Sequence, residues 1–469
     1  MVDRRKVIKG GFAASTQLAL GGWARGAKGA PKPNIIHILA DDMRYDDIAV
    51  MPNVRRIFKH AAVSFSCHMV AFSVCAPSRA SILTGLQAHN HGVLGNQDDI
   101  GGYGVYRTLE GNALPVWLTA AGYHVGHVGK FINNYGKDAP KHVPPGYADW
   151  RAMCDKKLDD YNNFTLNENG TLVEYTGQYT TDVFVEKVLD FVSTAPQPYA
   201  LFFWPNAPHG PSTPDQQDKG TFSNVDMPIH RNFNEANVKD KPALIRDLPL
   251  LDDTEIAAIQ DLWRSRAECL QSLDRGVAAL VDQLKQSGQL ENTHIVFTSD
   301  NGFMLGEHRV DDAKDLLYEE STRVPLLWRM PGGAGGKRDV PVSNIDVTAA
   351  IVEVTGATAG RVLDGRSLVP LLNDAETPWN TAVLIQCGEA RGIATQQYRY
   401  MVWTDTGETE LYDMADDPYQ LRNVAGTHKY RKIETDLAAA FAALDQCSGT
   451  SCEWTGSFPP PPLDNGAHK

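Results

Sequence analysis

The stretch NIIHILADDMRYDD, residues 34–47, begins as an apolar run typical of a buried strand and ends in acidic side chains. The stretch THIVFTSDNG, residues 293–302, has the same design and ends on Asp-Asn-Gly. Other strand-like runs, such as YALFFW at 199–204, alternate with segments of helical period, such as TDVFVEKVLDFVS at 181–193. This alternation predicts an α/β fold with a large, mostly parallel sheet between helices on both faces.

The pattern changes after about residue 375. Short strand-like runs then follow one another without crossover helices, and residues 429–446 have helical period. This predicts a small antiparallel sheet with one helix. Because 469 residues exceed one ordinary domain, we expect a large domain at 31–375 and a C-terminal subdomain at 376–469.

The net charge of the chain is -13 at pH 7. Such a charge argues against nucleic acid or an anionic membrane surface as the main partner. It does not exclude an anionic substrate, since a few local cations can outweigh the global field. No stretch after the N-terminal segment is apolar enough to predict a membrane span.

The N-terminal segment, residues 1–30, has the features of an export signal. Arg4 and Arg5 precede a weakly apolar run rich in Gly and Ala, and Ala24 and Gly26 have the spacing of a cleavage site. We predict a bacterial twin-arginine signal, recognised by the twin-arginine export machinery, and a periplasmic or secreted mature protein. The alternative is a disordered basic tail.

Seven cysteines are present, so an exported chain leaves at least one of them unpaired. Cys447 and Cys452 are close enough in sequence for a local disulfide, although spacing alone does not prove one. Cys75 is the candidate for an unpaired cysteine.

Acidic and amide side chains follow two of the predicted parallel strands, and ligands of such sheets bind beyond the carboxyl ends of the strands. Asp41 and Asp42 follow the first strand, and Asp300 and Asn301 follow the other. Their oxygens suit Ca²⁺ or Mg²⁺. The alternative is that the first pair caps a helix and the second forms a turn.

A single cysteine lies at the start of a predicted helix in VCAPSRASILTG, residues 74–85. Pro and Gly mark the beginning and the end of this helix. A helix N-terminus favours anions, so Cys75 has one interpretation as a thiolate nucleophile activated by Arg79. The other interpretation is a buried structural thiol, and these residues alone do not decide between the two.

The sequence CAPSR resembles the C-x-P-S-R signature of the sulfatase family, within the alkaline phosphatase superfamily. In that family the cysteine is oxidised to Cα-formylglycine by a maturation enzyme. The resemblance extends over most of the chain and implies an alkaline phosphatase-like fold. Its seven further landmarks are NIIHILADDMRYDD, GKFINNYG, PNAPHGP, TSDNGFMLGEH, KDLLYEESTRVPLLWRMPG, VSNIDVTAAIVEVTGATAG and ELYDMADDPYQLRNVA.

The resemblance also implies roles for individual residues. The two acidic pairs at the strand ends would hold the divalent cation, usually Ca²⁺ in this family, with Mg²⁺ as the alternative. Cys75, once oxidised and hydrated, would be the nucleophile, and Arg79 would neutralise it. Lys130 and Lys314 would bind sulfate oxygens, and His209 would lie near the leaving oxygen.

One departure from the family pattern concerns a histidine. Many members read G-K-W-H-L-G, with a histidine two residues after the lysine, whereas here Ile132 stands at that position and Asn133 follows. This variant resembles the glucosamine-6-sulfatase and extracellular endosulfatase branch, which suggests a sugar sulfate. His142 or His89 is a candidate for the missing histidine.

The expected activity is hydrolysis of a sulfate monoester by a formylglycine hydrate with a divalent metal. One alternative keeps the fold and acts on phosphonate monoesters or phosphodiesters, since these esters share the shape of sulfate esters. A second alternative is an exported carbohydrate-binding protein on an inactive sulfatase scaffold.

Overall fold

The computed structural model describes residues 31–97, 99–154 and 160–461. The predicted export signal at 1–30 lies outside the described residues. Within the described part of the chain, no helix is long and apolar enough to cross a membrane.

The strands of the described residues are β1 (Asn34–Ala40), β2 (Ala62–Phe65), β3 (His68–Met69), β4 (His124–Gly129), β5 (Asp149–Met153), β6 (Asn163–Glu168), β7 (Thr171–Thr176), β8 (Tyr199–Trp204), β9 (Thr293–Ser299), β10 (Leu326–Arg329), β11 (Gly336–Arg338), β12 (Val342–Ser343), β13 (Ala382–Gln386), β14 (Ala390–Thr395), β15 (Tyr398–Trp403) and β16 (Thr409–Asp413).

The α-helices of the described residues are α1 (Pro52–Phe58), α2 (Cys75–Thr84), α3 (Ala88–His91), α4 (Gly102–Tyr106), α5 (Leu114–Ala120), α6 (Thr180–Thr194), α7 (Ala243–Arg246), α8 (Asp253–Gln286), α9 (Glu319–Thr322), α10 (Asn344–Thr355), α11 (Val369–Asn373) and α12 (Arg431–Leu444). Short 3₁₀ helices lie at Asp46–Val50, Glu110–Asn112, Leu290–Asn292, His428–Tyr430 and Gly449–Cys452.

The large sheet has the strand order β11-β2-β10-β9-β1-β8-β4-β5-β6-β7. Its central strands β9, β1, β8, β4 and β5 run parallel, as the sequence predicted. Antiparallel pairs flank them on both sides, through β10 on one side and through β6 and β7 on the other. The sheet therefore has antiparallel strands at both flanks, whereas β1 and β9, which precede the acidic residues, run parallel to each other.

Side chains of the central strands are buried on both faces of the sheet. In β1, Ile35 and Leu39 belong to one hydrophobic core, and Ile36 and Ile38 belong to the other. Alternate residues of a strand point to opposite faces, so a strand covered on both sides is a continuous apolar run. This explains why the first strand is apolar at every position but His37 and the Asn34 that opens it.

Helix α2 begins two residues earlier than Pro77 suggested. Val74 is the extended N-cap residue, and Cys75 is the first residue of the helix. The side chain of Asn96 accepts the Ala76 N–H at 2.9 Å, so the first turn is capped from outside the helix. Gly85 ends the helix with a φ of 69°, in the left-handed region that its missing Cβ permits.

The C-terminal sheet is antiparallel, in the order β13-β14-β15-β16, and α12 packs against its first three strands. Helix α12 lies within the predicted helix at 429–446, and β13, β15 and β16 lie where the sequence predicted short strands. The fourth, β14, has the sequence ARGIAT, which carries little strand signal. Cys447 and Cys452 form the disulfide that their spacing allowed, with 4.9 Å between their Cα atoms.

Candidate active site

The four predicted oxygen ligands meet because β1 and β9 are neighbours in register. Ala40 pairs with Ser299, so the residues that follow both strands lie side by side. The backbone N–H of Asp42 donates to Asp300 at 3.0 Å, and Asn301 Nδ2 donates to Asp42 Oδ1 at 2.7 Å. All four ligand residues are at most 1% exposed, as their place at the sheet edge beneath α2 requires.

The helix-cap alternative for the first acidic pair does not hold. The short 3₁₀ helix after β1 has Tyr45 as its N-cap residue and no side-chain cap. Asp42 instead adopts a φ of 65°, an uncommon conformation for a residue with a Cβ. Strained residues of this kind often lie at functional sites.

Cys75 lies at the centre of this cluster. Its Sγ is 3.4 Å from Asp41 Oδ1 and 3.7 Å from Asp42 Oδ1. The Nζ atoms of Lys314 and Lys130 lie 2.8 Å and 3.7 Å from the same sulfur. The sulfur therefore has both carboxylates and both ammonium groups within reach.

Arg79 joins the two halves of the site from the next turn of α2. Its Nε donates to Asp300 Oδ2 at 2.7 Å, and its Nη1 donates to the carbonyls of Lys130 at 2.8 Å and Phe131 at 3.0 Å. Its Nη2 lies 3.4 Å from Asp41 Oδ2. The guanidinium fork thus fixes the residues that follow β9 and the residues that follow β4 against each other.

The remaining predicted residues also reach the carboxylates. Lys130 forms an ion pair with Asp41, and Lys314 Nζ lies 2.5 Å from Asp42 Oδ1. His209 Nε2 lies 3.7 Å from Asp42 Oδ2. The three buried carboxylates are therefore paired with Arg79 and Lys130, which are also buried, and with the partly exposed Lys314, and this pairing offsets the cost of burying the charges.

Burial raises the pKa of the Cys75 thiol far above its ordinary value, and the nearby ammonium groups only partly oppose this. Burial therefore disfavours the thiolate form of the unmodified side chain, which is the nucleophilic form.

The carboxylates respond differently to the same environment. Burial alone would raise the pKa of Asp42, but Lys314 and His209 bring it below its ordinary value. Burial and the neighbouring Asp41 raise the pKa of Asp300 despite Arg79. Of the three carboxylates, Asp300 is the one whose pKa is raised.

The residues present fit a hard divalent cation. Asn301 Oδ1 is buried without a hydrogen-bond partner among the described residues. Asp41, Asp42, Cys75 and His209 each bring a potential ligand atom within 4.8 Å of the others. Two of these four ligand atoms are a sulfur and an imidazole nitrogen, whereas the oxygens of Asp41, Asp42 and Asn301 are of the type that Ca²⁺ and Mg²⁺ prefer.

The two substitute histidines are engaged elsewhere. His142 Nε2 lies 2.8 Å from Glu110 Oε1, and His89 Nε2 lies 2.9 Å from the Cys447 carbonyl oxygen. Neither forms a described contact with the four oxygen ligands or with Cys75. The structure therefore gives no support to either of them as the missing histidine, and His209 is the imidazole that faces the carboxylates.

Two site residues were not found by sequence reasoning. Ser78 Oγ donates to the Asp300 carbonyl at 2.5 Å, and its place inside CAPSR was an available signal. Arg266 donates to the Asp42 carbonyl at 2.5 Å from the middle of α8. Its helical segment carries no local sign of this contact.

The model of the sulfatase family matches residues 33–357. The chain belongs to the sulfatase family. A model of the N-sulphoglucosamine sulphohydrolase C-terminal region matches residues 306–446 of this sulfatase. As a member of this family, the protein is a sulfuric ester hydrolase.

Curated relatives include the N-acetylglucosamine-6-sulfatase of Capra hircus, 30% identical over 92% of this chain and 87% of the relative. A putative extracellular sulfatase of Caenorhabditis elegans is 32% identical over 78% of this chain, which spans only 54% of that relative.

Solved structures share the fold. One is a protein in complex with its substrate D-glucosamine-2-N,6-O-disulfate, with a TM-score of 0.73, 23% identity, and coverage of 88% of this chain and 97% of the other. Another is the phosphonate monoester hydrolase of Agrobacterium radiobacter, with a TM-score of 0.69, 19% identity, and coverage of 88% and 95%. At these identities the likeness establishes the architecture only.

Proposed function

We propose that this sulfatase hydrolyses sulfate monoesters of sugars, with position 75 as the nucleophile after conversion of Cys75 to Cα-formylglycine. The observation that carries the proposal is the convergence of two lysines, two carboxylates and one histidine on the fully buried side chain of Cys75. A formylglycine hydrate at that place supplies one hydroxyl to attack sulfur and a second to expel sulfate.

The oxygen ligands Asp41, Asp42, Asp300 and Asn301 would hold Ca²⁺, with Mg²⁺ as the alternative. Bound there, the ion supplies Lewis-acid stabilisation of the oxyanion that forms at sulfur. Arg79 keeps its own charge beside these ligands and orients Asp300. Its bonds to the Lys130 and Phe131 carbonyls, just after β4, also fix the position of Lys130.

Lys130 and Lys314 are suited to bind sulfate oxygens. Both ammonium groups lie within 4 Å of Cys75 Sγ, which is the distance expected of groups that flank a reacting sulfate. As compact point charges they attract the tetrahedral anion without imposing a planar geometry. They would neutralise the charge that builds up on the transferred group.

His209 is suited to protonate the leaving alcohol. Its Nδ1 lies 2.7 Å from the Gly210 carbonyl, which can only accept, so Nδ1 carries a proton. Its Nε2 therefore faces the site as the atom that gains or gives a proton. The cationic ring would donate from Nε2 to the leaving oxygen as the sulfur–oxygen bond breaks.

The sugar substrate is supported by the curated relatives named N-acetylglucosamine-6-sulfatase, which align over most of their length. Phosphonate monoester hydrolases share the fold at lower identity. The test is to compare kcat/KM for an aryl sulfate, glucosamine 6-sulfate and an aryl phosphonate. A clear preference for the phosphonate would replace the sulfate assignment.

The nucleophile is tested by peptide mass spectrometry across residues 74–79. Protein made with a formylglycine-generating enzyme is expected to carry the aldehyde and to be active. Cys75→Ala, prepared in parallel, is expected to fold and to lack turnover. Full activity of protein that carries only the thiol would contradict the proposal.

Export is a further part of the proposal. We infer that the twin-arginine machinery exports the protein and that cleavage after Gly26 releases it, on the grounds of Arg4, Arg5 and the Ala24–Gly26 spacing. N-terminal sequencing of exported protein should then begin near residue 27. An intact N-terminus on exported protein would contradict this.

A further inference from the structure

Asp315 has an unusual conformation directly beside the sulfate-binding Lys314. Its φ is 70°, in the left-handed region that residues with a Cβ seldom adopt. Its backbone N–H donates to the Ser73 carbonyl at 3.1 Å, and its Oδ1 accepts the Gly388 N–H at 2.7 Å. One residue therefore connects two segments that lie far apart in the chain.

The first of these segments leads into the nucleophile. Ser73 lies two residues before Cys75, and its N–H donates to the Gln386 carbonyl at 3.0 Å. The Gln386 N–H in turn donates to the Ala71 carbonyl at 3.0 Å. Residues 71–73 thus run beside the end of β13 as a short parallel pair, centred on Phe72.

The second segment is the turn between β13 and β14, residues 387–389. The Cys387 N–H donates to the Ala390 carbonyl at 2.9 Å, and the Ala390 N–H donates to Cys387 Sγ at 3.2 Å. This closed turn directs the Gly388 N–H toward Asp315. A Cβ on Gly388 would lie 3.0 Å from Asp315 Oδ2, so the carboxylate packs tightly on the glycine.

Lys314 is consequently held by its neighbours on both sides. The Met304 N–H donates to the Ala313 carbonyl at 2.7 Å, which ties the residue before Lys314 to the segment that follows Asn301. Asp315, the residue after Lys314, is itself hydrogen-bonded to Ser73 and to the β13–β14 turn. Because a lysine side chain has four rotatable bonds, a fixed backbone on both sides limits where its Nζ can lie.

We propose that Asp315 is a positioning residue, which holds Lys314 against position 75 by joining the β13–β14 turn to residues 71–73, the segment that leads into the nucleophile. The C-terminal sheet is then part of the assembly of the active site. The inference rests on the proposed function of Lys314 in sulfate binding. A displacement of about 1 Å at such a group lowers rates by up to about a hundredfold.

Two variants of Asp315 separate its hydrogen bonds from its charge. Asp315→Asn keeps an acceptor for the Gly388 N–H and tolerates the left-handed backbone, but it removes the charge beside Lys314. Asp315→Gly adopts the same backbone without strain and removes the acceptor. Asp311→Gly is the matched control, because Asp311 is an exposed acid three residues before Lys314.

The measurements on matured enzyme are kcat and KM for an aryl sulfate and the inhibition constant of inorganic sulfate. Asp315→Gly is expected to lower kcat/KM by about tenfold or more and to weaken inhibition by sulfate. Asp315→Asn and Asp311→Gly are expected to stay within about threefold of the parent enzyme. An Asn variant as impaired as the Gly variant, or an unimpaired Gly variant, would overturn the inference.

Hydrogen–deuterium exchange supplies a readout that needs no turnover. The Gly variant should exchange faster than the parent at residues 71–75 and 386–390, whereas the Asn variant should not. Unchanged exchange in the Gly variant would overturn the inference even if the parent enzyme proved inactive toward sulfate esters. Absence of turnover by the matured parent enzyme, by contrast, would count against the proposed function alone.

Discussion

Replacement of Arg79 by lysine tests whether the guanidinium fork, rather than its charge, assembles the site. The side chain is fully buried and donates to Asp300 and to the carbonyls of Lys130 and Phe131. A single ammonium group cannot reach all three acceptors. We expect it to stay with the carboxylate and to lose the two carbonyl bonds at the end of β4.

The cost follows from the bonds that are lost. A hydrogen bond from a charged donor contributes about 1.5–3 kcal/mol, so two of them amount to about 3–6 kcal/mol. Since relaxation recovers part of this, we expect Arg79→Lys to lower the free energy of unfolding by about 3 kcal/mol. We also expect kcat/KM to fall at least about tenfold, because Lys130 and Asp300 both lose a fixed neighbour.

The assay is urea unfolding followed by tryptophan fluorescence, together with kinetics on an aryl sulfate. Arg329→Lys is the matched control, because Arg329 is also buried and donates to the Leu290 carbonyl at 3.0 Å and to Glu291 at 2.8 Å. It should lose stability and keep its activity. An Arg79→Lys enzyme of parental stability and rate would refute the reasoning.

Further predictions concern the metal, the nucleophile and acid stability. Asn301→Leu should weaken Ca²⁺ binding in calorimetry at least about tenfold, since the unpartnered Oδ1 is lost; unchanged affinity would remove Asn301 from the ligand set. Cys75→Ser should fold but stall after sulfate transfer, visible as a sulfated peptide; steady turnover would contradict the need for a diol. Burial, with a smaller contribution from Arg79, lowers the pKa of His127 to about 3. The unfolded chain then binds its proton first, so stability falls as the pH drops below about 6.5. His127→Phe should reduce the loss between pH 7 and pH 5 by about 2 kcal/mol, and an identical pH profile would contradict this.

Local patterns were sufficient for the elements that carry the chemistry. The strands β1 and β9 are buried at every position because both sheet faces are covered, each contains an apolar run, and acidic or amide residues follow each strand at once. The flanking strands β6 and β7 carry polar residues at many positions. Because polar residues interrupt their apolar pattern, these two strands, which pair antiparallel at the edge of the sheet, could not be recognised from periodicity.

The sequence by itself determined the residue types of the site: oxygen ligands after two strands, a cysteine at a helix start, and an arginine one turn later. Each of these groups lies within one short segment, so its residue types and their spacing can be read directly from the sequence. Only the tertiary structure decided that His142 and His89 contact Glu110 and the Cys447 carbonyl rather than the carboxylates, and that Asp315 meets Gly388. Contacts between residues so far apart depend on sheet register and packing, which no local pattern encodes.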